Sequence, residues 1–396
     1  MDRTAKHRQG GLDGLRGLAA LAVFAVHVWI YQLPNTVDLS RDNLGELILF
    51  EARVAFVMFF VLSGYLLFRP FVRGSLGISR PEAVVPYLVR RAARIMPAYY
   101  VALAGTLALL ATAGDVPGKR VVDAHELPLF AVFAQNYSPE TLLKLNAATW
   151  TLAVEVAFYV LLPLVALIAL RACRGSMRRH VVLLLALVVG GIGWNLLDYA
   201  AGWGPVASHS APSFLPYFAC GMIVALLVER SRARALAPLT RRVSALVVAA
   251  AALVLVANGF WHVEANPNGL AIEAFADLPA AVAFSSLIAA MTLGTGSGLG
   301  WLGSRPLMWF GQISFGFYLW HIPLIVWTRG HGLLGAGAPA DVALLLPAAT
   351  ALGAASWYLV ERPLMRRASR LRRDAEPPRP SHRSQARTIA LANPRP

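Results

Sequence analysis

Residues 11–29, GLDGLRGLAALAVFAVHVW, form an apolar stretch that carries three ionisable side chains, Asp13, Arg16 and His27. Arg16 and His27 are eleven residues apart, almost three turns of an α-helix, so they share one face about 16 Å apart in height. Asp13 lies one turn below Arg16 on nearly the same face. Because ionisable groups in lipid are costly, we expect this stripe to face a water-filled or ligand-filled interior. The alternative is an ion pair at the helix end with a histidine at the membrane interface.

A second candidate lies in the stretch TWTLAVEVAFYVLLPL, which begins at Thr149. Glu155 is about six residues below the predicted outer end of its helix, and His27 is a few residues below the outer end of its own. We therefore expect the two side chains at one level. A carboxylate beside an imidazole fixes its tautomer and raises its basicity, which is the arrangement of a general base. A structural His–Glu pair that ties two helices together is the alternative.

Arginines cluster in the stretch PYLVRRAARIMPAYY, at the predicted cytoplasmic end of the third helix and level with Arg16. Arg91 and Arg94 are three residues apart, so they project together from a helix. Paired guanidinium groups match the geometry of phosphate. Arg94 lies almost two turns into the helix, deeper than membrane orientation requires. The alternative is that these residues, with Arg90, are ordinary positive charges of a cytoplasmic helix end.

Smaller polar residues mark two further helices. Ser63 and Gly64, in VMFFVLSGYLLFRPF, are a small pair that lets another helix or a thin ligand approach closely. Ser314, Tyr318 and His321, in FGQISFGFYLWHIPLIVW, recur about once per turn on one face. His321 falls near mid-membrane, either as a second site histidine or as half of an interhelical hydrogen bond. With Asp13, these polar residues are candidates to contact substrate or line an interior path.

The composition predicts that these residues are positioned by membrane-spanning helices. The 396-residue chain is 57% hydrophobic and 14% charged, whereas soluble domains are about 45–50% apolar and about 25% charged. We predict an all-α membrane protein of about ten transmembrane helices. The predicted spans are residues 11–31, 47–68, 87–112, 149–170, 180–201, 213–229, 242–261, 278–295, 308–328 and 341–361.

The charge pattern predicts that both termini are cytoplasmic. Of the 36 lysines and arginines, 29 fall in segments that this topology places inside. The net charge of +15 is therefore interpreted as membrane orientation, and no nucleic-acid partner is predicted. We expect a basic cytoplasmic N-terminus (1–10), a membrane domain (11–363) and a basic, disordered cytoplasmic tail (364–396). No metal site is predicted, because two histidines alone do not make one.

Six motifs in order resemble the membrane-bound acyltransferase family 3, whose members are O-acyltransferases. They span residues 11 to about 363 and read LDGLRGLAALAVFAVHVW, FFVLSGYLL, RRAARIMPAYY, TWTLAVEVAFYVLLPL, GQISFGFYLWHIPLI and WYLVERPLMRR. The resemblance implies transfer of an acyl group, often acetyl, from cytoplasmic acyl-CoA to a hydroxyl of a sugar-containing acceptor. Such acceptors include envelope polysaccharides, glycolipids and macrolides.

The resemblance also implies roles for individual residues. His27 matches the family's catalytic histidine and Arg16 its first-helix arginine, while Arg91, Arg94, Glu155 and His321 match other motif positions. Two departures, Thr151 for the commoner serine and Phe315 for the commoner tyrosine, are mild. The tail after Met365 is too short and too polar for the soluble esterase-like domain that some members carry, which leaves the acceptor open.

We therefore expect a multi-pass O-acyltransferase of a bacterial cell membrane, with acyl-CoA as donor substrate and no permanently bound cofactor. Coenzyme A phosphates would bind Arg91, Arg94 and Arg16. His27, oriented by Glu155, would deprotonate the acceptor hydroxyl or take the acyl group transiently. The rival hypotheses are a transporter of an anionic solute and a scaffold or sensor without chemistry. Against a transporter, the sequence shows no inverted repeat and no paired broken helices.

Overall fold

The computed structural model describes residues 3–32, 44–116, 118–264, 275, 277–335 and 338–375. Over these ranges the chain is almost entirely helical, and β-structure is limited to an isolated bridge between Leu239 and Gly294. The predicted all-α class is confirmed. The helices are α1 Arg3–Gln32, α2 Leu44–Ala52, α3 Ala55–Ser75, α4 Val84–Thr112, α5 Leu127–Ala131, α6 Thr149–Ile168, α7 Met177–Ala201, α8 Pro205–Ser208, α9 Ala211–Ala233, α10 Arg241–Glu264, α11 Leu278–Leu293, α12 Arg305–Gly330, α13 Ala338–Ala355 and α14 Arg362–Ala375.

All ten predicted spans fall on helices. Among the described residues, eight helical stretches are long and apolar enough to cross a membrane. Of the other two predicted spans, α11 has only 16 residues, and α12 carries polar residues along much of its length. The protein is a multi-pass membrane protein, while the count of ten spans and the cytoplasmic termini stay predictions.

The ends of the chain depart from the predicted domain boundaries. Helix α1 begins at Arg3, inside the segment predicted as a separate N-terminus. Helix α14 begins at Arg362, extends to Ala375 and packs against α4, so it crosses the boundary predicted between residues 363 and 364. The division into three segments stays a prediction. Residues 376–396 lie outside the described residues.

Glycines bring α1 against α12. A Cβ built on Gly14 would lie 1.8 Å from the carbonyl oxygen of Leu302, and one on Gly311 would lie 1.9 Å from that of Asp13. Gly17 likewise faces the backbone of Gly311. Small residues allow such close helix approach in membranes. The contact fixes the first helix beside α12, and with it the positions of the polar residues on both.

A second glycine contact joins α3 to α9. A Cβ on Gly64 would lie 2.1 Å from the carbonyl oxygen of Phe218, and one on Gly221 would lie 1.9 Å from that of Val61. Gly64 of the predicted small pair thus serves helix packing, whereas its neighbour Ser63 faces the interior cavity described below.

We expect Gly221→Ala to destabilise the protein by about 1–3 kcal/mol, because the added methyl must displace the backbone of α3. The matched control is Gly193→Ala on α7, where an added Cβ meets nothing within 4 Å. Thermal unfolding in detergent measures the difference. Equal melting temperatures for the two variants would contradict the packing argument.

The connection between α4 and α6 folds back into the bundle. Asn146 donates a hydrogen bond of 2.7 Å to the carbonyl oxygen of Leu319, in the middle of α12. Tyr318 donates to the carbonyl oxygen of Ala148 at 2.8 Å. Helix α6 therefore starts at the level of Tyr318, about 18 Å below the far end of α12. Nearer the surface, the hydrogen bond from Lys144, together with the Asp123 amide, lowers the pKa of Glu126.

Candidate active site

An interior cavity of about 100 Å³ lies between α1, α3, α4, α6 and α12. It brings together most of the residues that the sequence singled out. Its polar lining comprises Arg16, Ser63, Arg91, Arg94, Thr151, Glu155, Tyr159, Ser314 and Tyr318. Aromatic and aliphatic side chains, among them Phe59 and Phe315, form the remaining walls. We call this the donor cavity, and the end of the bundle that holds Arg91 and Arg94 the arginine end.

Glu155 is held at the centre of the donor cavity by two hydroxyl groups. Ser63 donates to its Oε1 at 2.8 Å and Tyr159 donates to its Oε2 at 2.9 Å. Arg16 and Arg94 lie close enough to interact with the carboxylate electrostatically. The carboxylate therefore lies between two hydroxyl donors and two arginines, which fix its position in the cavity.

The arginines retain capacity for an anion. Arg16 forms an ion pair with Asp13 at 3.5 Å, as the alternative hypothesis for these two residues predicted. Asp13 itself does not line the cavity. Among the described residues, Arg91 and Arg94 form no ion pair, and Nε of Arg91 is buried without a hydrogen-bond partner. Arg90, by contrast, is paired with Glu82. Arg91 and Arg94 face the cavity without an ion pair, and paired guanidinium groups match the geometry of phosphate.

Two histidines meet beyond the donor cavity. Nδ1 of His27 lies 3.2 Å from Nε2 of His321, and the ring centroids are 5.0 Å apart. Nδ1 of His27 also lies 2.8 Å from the carbonyl oxygen of Val23, and Nδ1 of His321 lies 2.6 Å from that of Tyr318. A carbonyl only accepts, so Nδ1 carries the proton in both neutral rings. His321 then accepts from His27 through Nε2.

This tautomer leaves Nε2 of His27 with a free lone pair. His321 is 1% exposed and is fixed by its two contacts, whereas His27 keeps partial exposure. An imidazole whose Nδ1–H is anchored and whose Nε2 is unprotonated is arranged to accept a proton or attack an electrophile.

Phe59 and Tyr318 separate the histidine pair from the donor cavity. Both line the cavity, with ring centroids 6.1 Å apart, and the Tyr318 ring lies 5.5 Å from that of His321. The Tyr318 hydroxyl is 2.7 Å from that of Thr151, so the threonine supplies the hydroxyl that serine would. Tyr318 therefore contacts both the donor cavity and the histidine pair.

Comparison with known proteins identifies the family to which the chain belongs. The sequence model of a family described as "Acyltransferase domain" matches residues 9–360. The chain belongs to this acyltransferase family. It is therefore an enzyme that transfers acyl groups.

Three named relatives are similar in sequence to this chain over most of its length. It is 28% identical to acyltransferase MdmB of Streptomyces mycarofaciens, over 94% of this chain and 96% of the relative. It is 29% identical to exopolysaccharide production protein ExoZ of Rhizobium meliloti, over 78% of this chain and 88% of ExoZ. It is 25% identical to YrhL of Bacillus subtilis, over 91% of this chain and 56% of YrhL. YrhL is named for an inferred peptidoglycan O-acetyltransferase activity. No solved structure matches the chain.

In this acyltransferase the predicted pairing of His27 with Glu155 is wrong. Glu155 bonds to Ser63 and Tyr159, and His27 contacts His321 instead. The prediction assumed that α6 begins at the outer end of the bundle. Because α6 begins well inside the bundle, Glu155 lies at the level of Arg16. Of the two alternatives for His321, the interhelical hydrogen bond is present, and its partner is the candidate catalytic histidine.

The structure adds two residues that sequence reasoning missed. Tyr159 lies one turn after Glu155 and could have been found by that spacing. Glu361, in the closing motif WYLVERPLMRR, is 2% exposed, accepts a 3.0 Å bond from Ser356 and lies near Arg94. Ser314, a predicted site residue, lines the cavity but donates at 2.8 Å to the carbonyl oxygen of Gly311 in its own helix.

Proposed function

We propose that this acyltransferase moves an acyl group, acetyl in the simplest case, from acyl-CoA to a hydroxyl of a sugar-containing acceptor in a bacterial cell membrane. The observation that carries the proposal is the sequence of sites along the bundle. A cluster of arginines lies at one end, an enclosed cavity follows, and a histidine with a free Nε2 lies beyond it. The relatives named for peptidoglycan O-acetylation and exopolysaccharide production support a glycan acceptor.

The donor would bind from the arginine end. Arg91 and Arg94, with Arg16 behind them, would hold coenzyme A phosphates by charge-assisted hydrogen bonds. The narrow pantetheine arm would occupy the donor cavity and carry the thioester past Phe59 and Tyr318. Glu155 would keep Arg16 and Arg94 in position, with Ser63 and Tyr159 as its fixed partners, and so acts in donor binding rather than on His27.

His27 supports two routes to the same products. As general base, Nε2 takes the proton of the acceptor hydroxyl while its oxygen attacks the thioester carbon. As nucleophile, Nε2 attacks that carbon first, and the acceptor hydroxyl then displaces the acyl group from nitrogen. In the general-base route the C–S bond breaks, an O–C bond forms, and the hydroxyl proton passes through Nε2 to the coenzyme A thiolate. In the nucleophilic route the C–S bond breaks first, giving the thiolate and an acyl group on Nε2; the acceptor oxygen then forms the O–C bond, the N–C bond breaks, and the hydroxyl proton neutralises the thiolate. The anchored Nδ1–H would stabilise the imidazolium of the first route or the acyl-imidazolium of the second through Val23 and His321.

The experiment for this function is thioester consumption by purified protein in detergent. The donors are acetyl-CoA and propionyl-CoA, and the acceptors are a peptidoglycan fragment, an exopolysaccharide oligosaccharide and a glycosylated macrolide. We expect release of coenzyme A together with acyl ester on one acceptor. Folded protein that consumes no thioester with any acceptor would contradict the proposal and favour a transporter, which moves its solute without cleaving a thioester.

His321 is expected to act by positioning His27. We predict that His321→Ala lowers acyl transfer about 10–100-fold, because the loss of an orienting partner typically costs this much. His321→Gln, which keeps an acceptor atom near Nδ1 of His27, should restore part of the rate. The pH–rate profile is the second readout, since it should shift in His321→Ala. An unshifted profile with unreduced rate would show that His321 only packs α1 against α12.

A further inference from the structure

A groove of about 640 Å³ lies on the surface of the bundle, where α6 ends and α7 begins. A short π-helical turn, Ala169–Cys173, extends α6, and Arg174 and Gly175 then reverse the chain at positive φ, 43° and 74°. Beyond this turn α7 packs chiefly against α9 rather than α6. The space between the ends of the two helices therefore stays open, and we call it the α6–α7 groove.

The α6–α7 groove lies at the arginine end. Ser75, the last residue of α3, has its hydroxyl 2.8 Å from Nε2 of His180, in the first turn of α7. The end of α3 leads through a short connection into the start of α4, which carries Arg91 and Arg94. The groove and the donor arginines are therefore on the same side of the protein.

The walls of the α6–α7 groove are apolar and open to the bilayer. Ile168 of α6 and Val182 of α7 line it and are 42% and 60% exposed. Both lie in helical stretches that are long and apolar enough to cross a membrane. Exposed apolar surface of this kind marks contact with lipid.

One end of the α6–α7 groove is basic and has no acidic counterpart. Arg178 and Arg179 line it and are exposed, and residues 156–197 contain four arginines and no acidic residue. Within the described part of the chain neither lining arginine forms an ion pair. Arg179 donates to the carbonyl oxygen of Ala172 at 3.2 Å, which leaves most of its five N–H donors for an anion.

We propose that the α6–α7 groove binds one anionic phospholipid, with its phosphate on Arg178 and Arg179 and an acyl chain along Ile168 and Val182. Guanidinium groups bind phosphate by paired hydrogen bonds, and basic pockets between transmembrane helices bind anionic headgroups. A zwitterionic headgroup would bring an ammonium group that no carboxylate of the groove receives. Membrane orientation alone would account for the arginines, but not for an open apolar groove beside them.

The bound lipid would hold the end of α6 against α7. Helix α6 also carries Glu155 and Tyr159, which line the donor cavity. The lipid would thereby steady the helix that supplies the carboxylate of that cavity. The inference concerns binding alone and does not depend on which acyl group or acceptor the enzyme uses.

The test is native mass spectrometry of purified, delipidated protein titrated with phosphatidylglycerol or phosphatidylcholine in mixed micelles. We expect wild-type protein to bind one phosphatidylglycerol at least tenfold more tightly than phosphatidylcholine. Arg178→Gln/Arg179→Gln should bind phosphatidylglycerol at least tenfold more weakly and lose this preference. Equal affinity of wild-type protein for the two lipids would overturn the proposal.

The matched control is Arg241→Gln/Arg242→Gln. These two arginines are also adjacent and exposed in the first turn of a spanning helix, α10, but they line neither the α6–α7 groove nor the donor cavity. We expect phosphatidylglycerol affinity within twofold of the wild-type value. A loss as large as in Arg178→Gln/Arg179→Gln would show that general positive charge attracts the lipid, and would overturn the assignment to this groove.

A second pair of variants tests the acyl-chain wall and separates a lipid from a soluble anion. Val182→Trp fills the groove, whereas Val189→Trp lies two turns further on the same face of α7, is similarly exposed at 66%, and lines no part of it. We expect about tenfold weaker phosphatidylglycerol binding only in Val182→Trp, with circular dichroism showing both variants folded. Unchanged binding in Val182→Trp, together with displacement of the lipid by millimolar glycerol 3-phosphate, would show a site for soluble anions and contradict a lipid site.

Discussion

Replacing His27 with alanine is expected to abolish acyl transfer, with a loss of about 10³-fold or more in kcat. The substitution removes the member of the histidine pair whose Nε2 is free, and His321 cannot take its place. Nε2 of His321 faces the vacated position, but the ring is buried behind Phe317 and Tyr318 and is held through Nδ1 by the Tyr318 carbonyl. The measurement is coenzyme A release and acyl ester formation by purified protein.

His331→Ala is the matched control for this prediction. His331 is exposed just beyond the last turn of α12, where its ring packs on Trp327, and it does not line the donor cavity. We expect it to retain wild-type turnover. If folded His27→Ala kept more than a tenth of the wild-type rate, His27 would be neither base nor nucleophile, and the mechanism would have to be assigned elsewhere.

The double variant Arg91→Ala/Arg94→Ala is expected to raise KM for acetyl-CoA at least 100-fold. Hydrogen bonds to charged groups contribute about 1.5–3 kcal/mol each, and a loss of about 1.4 kcal/mol is tenfold in affinity. The effect should fall on KM more than on kcat, because the proposed donor binding puts these arginines on phosphate, far from the reacting carbon. Steady-state kinetics against acetyl-CoA concentration measure it.

Arg90→Ala distinguishes a phosphate site from general positive charge at this helix end. Arg90 neighbours Arg91 in sequence but is already paired with Glu82 and does not line the donor cavity. We expect the KM of Arg90→Ala for acetyl-CoA to stay within threefold of the wild-type value. A rise in KM as large for Arg90→Ala as for the double variant would mean that surface charge, rather than a built site, attracts the donor.

Much of the donor site could be predicted from sequence because it depends on spacing within single helices. Arg91 and Arg94 share a face because they are three residues apart. Arg16 was expected at their level because all three lie within the first eight residues of the predicted spans 11–31 and 87–112. Ionisable residues inside apolar stretches have few stable positions other than the interior. The donor cavity therefore gathers these arginines with Glu155, Ser63 and Tyr318.

The histidine pair could not be predicted, because it depends on which helices are neighbours and how deep each begins. Helices α1 and α12 are almost 300 residues apart in the chain, and they meet through Gly17 and Gly311. The depth of Glu155 is set by the connection before α6, which Asn146 ties to the middle of α12. Hydropathy marks where an apolar stretch starts but does not reveal a helix that begins inside the bundle.

The most direct test of the account supplies acetyl-CoA, which does not cross membranes, to one face of sealed vesicles at a time. Inverted vesicles expose the arginine end under the predicted topology, and right-side-out vesicles expose the opposite end of the bundle. The account predicts that wild-type protein consumes acetyl-CoA added outside inverted vesicles and that His27→Ala does not. It predicts no consumption outside right-side-out vesicles until detergent is added. Equal consumption by both vesicle types, with sealing verified, would contradict a donor that reaches His27 from the arginine end.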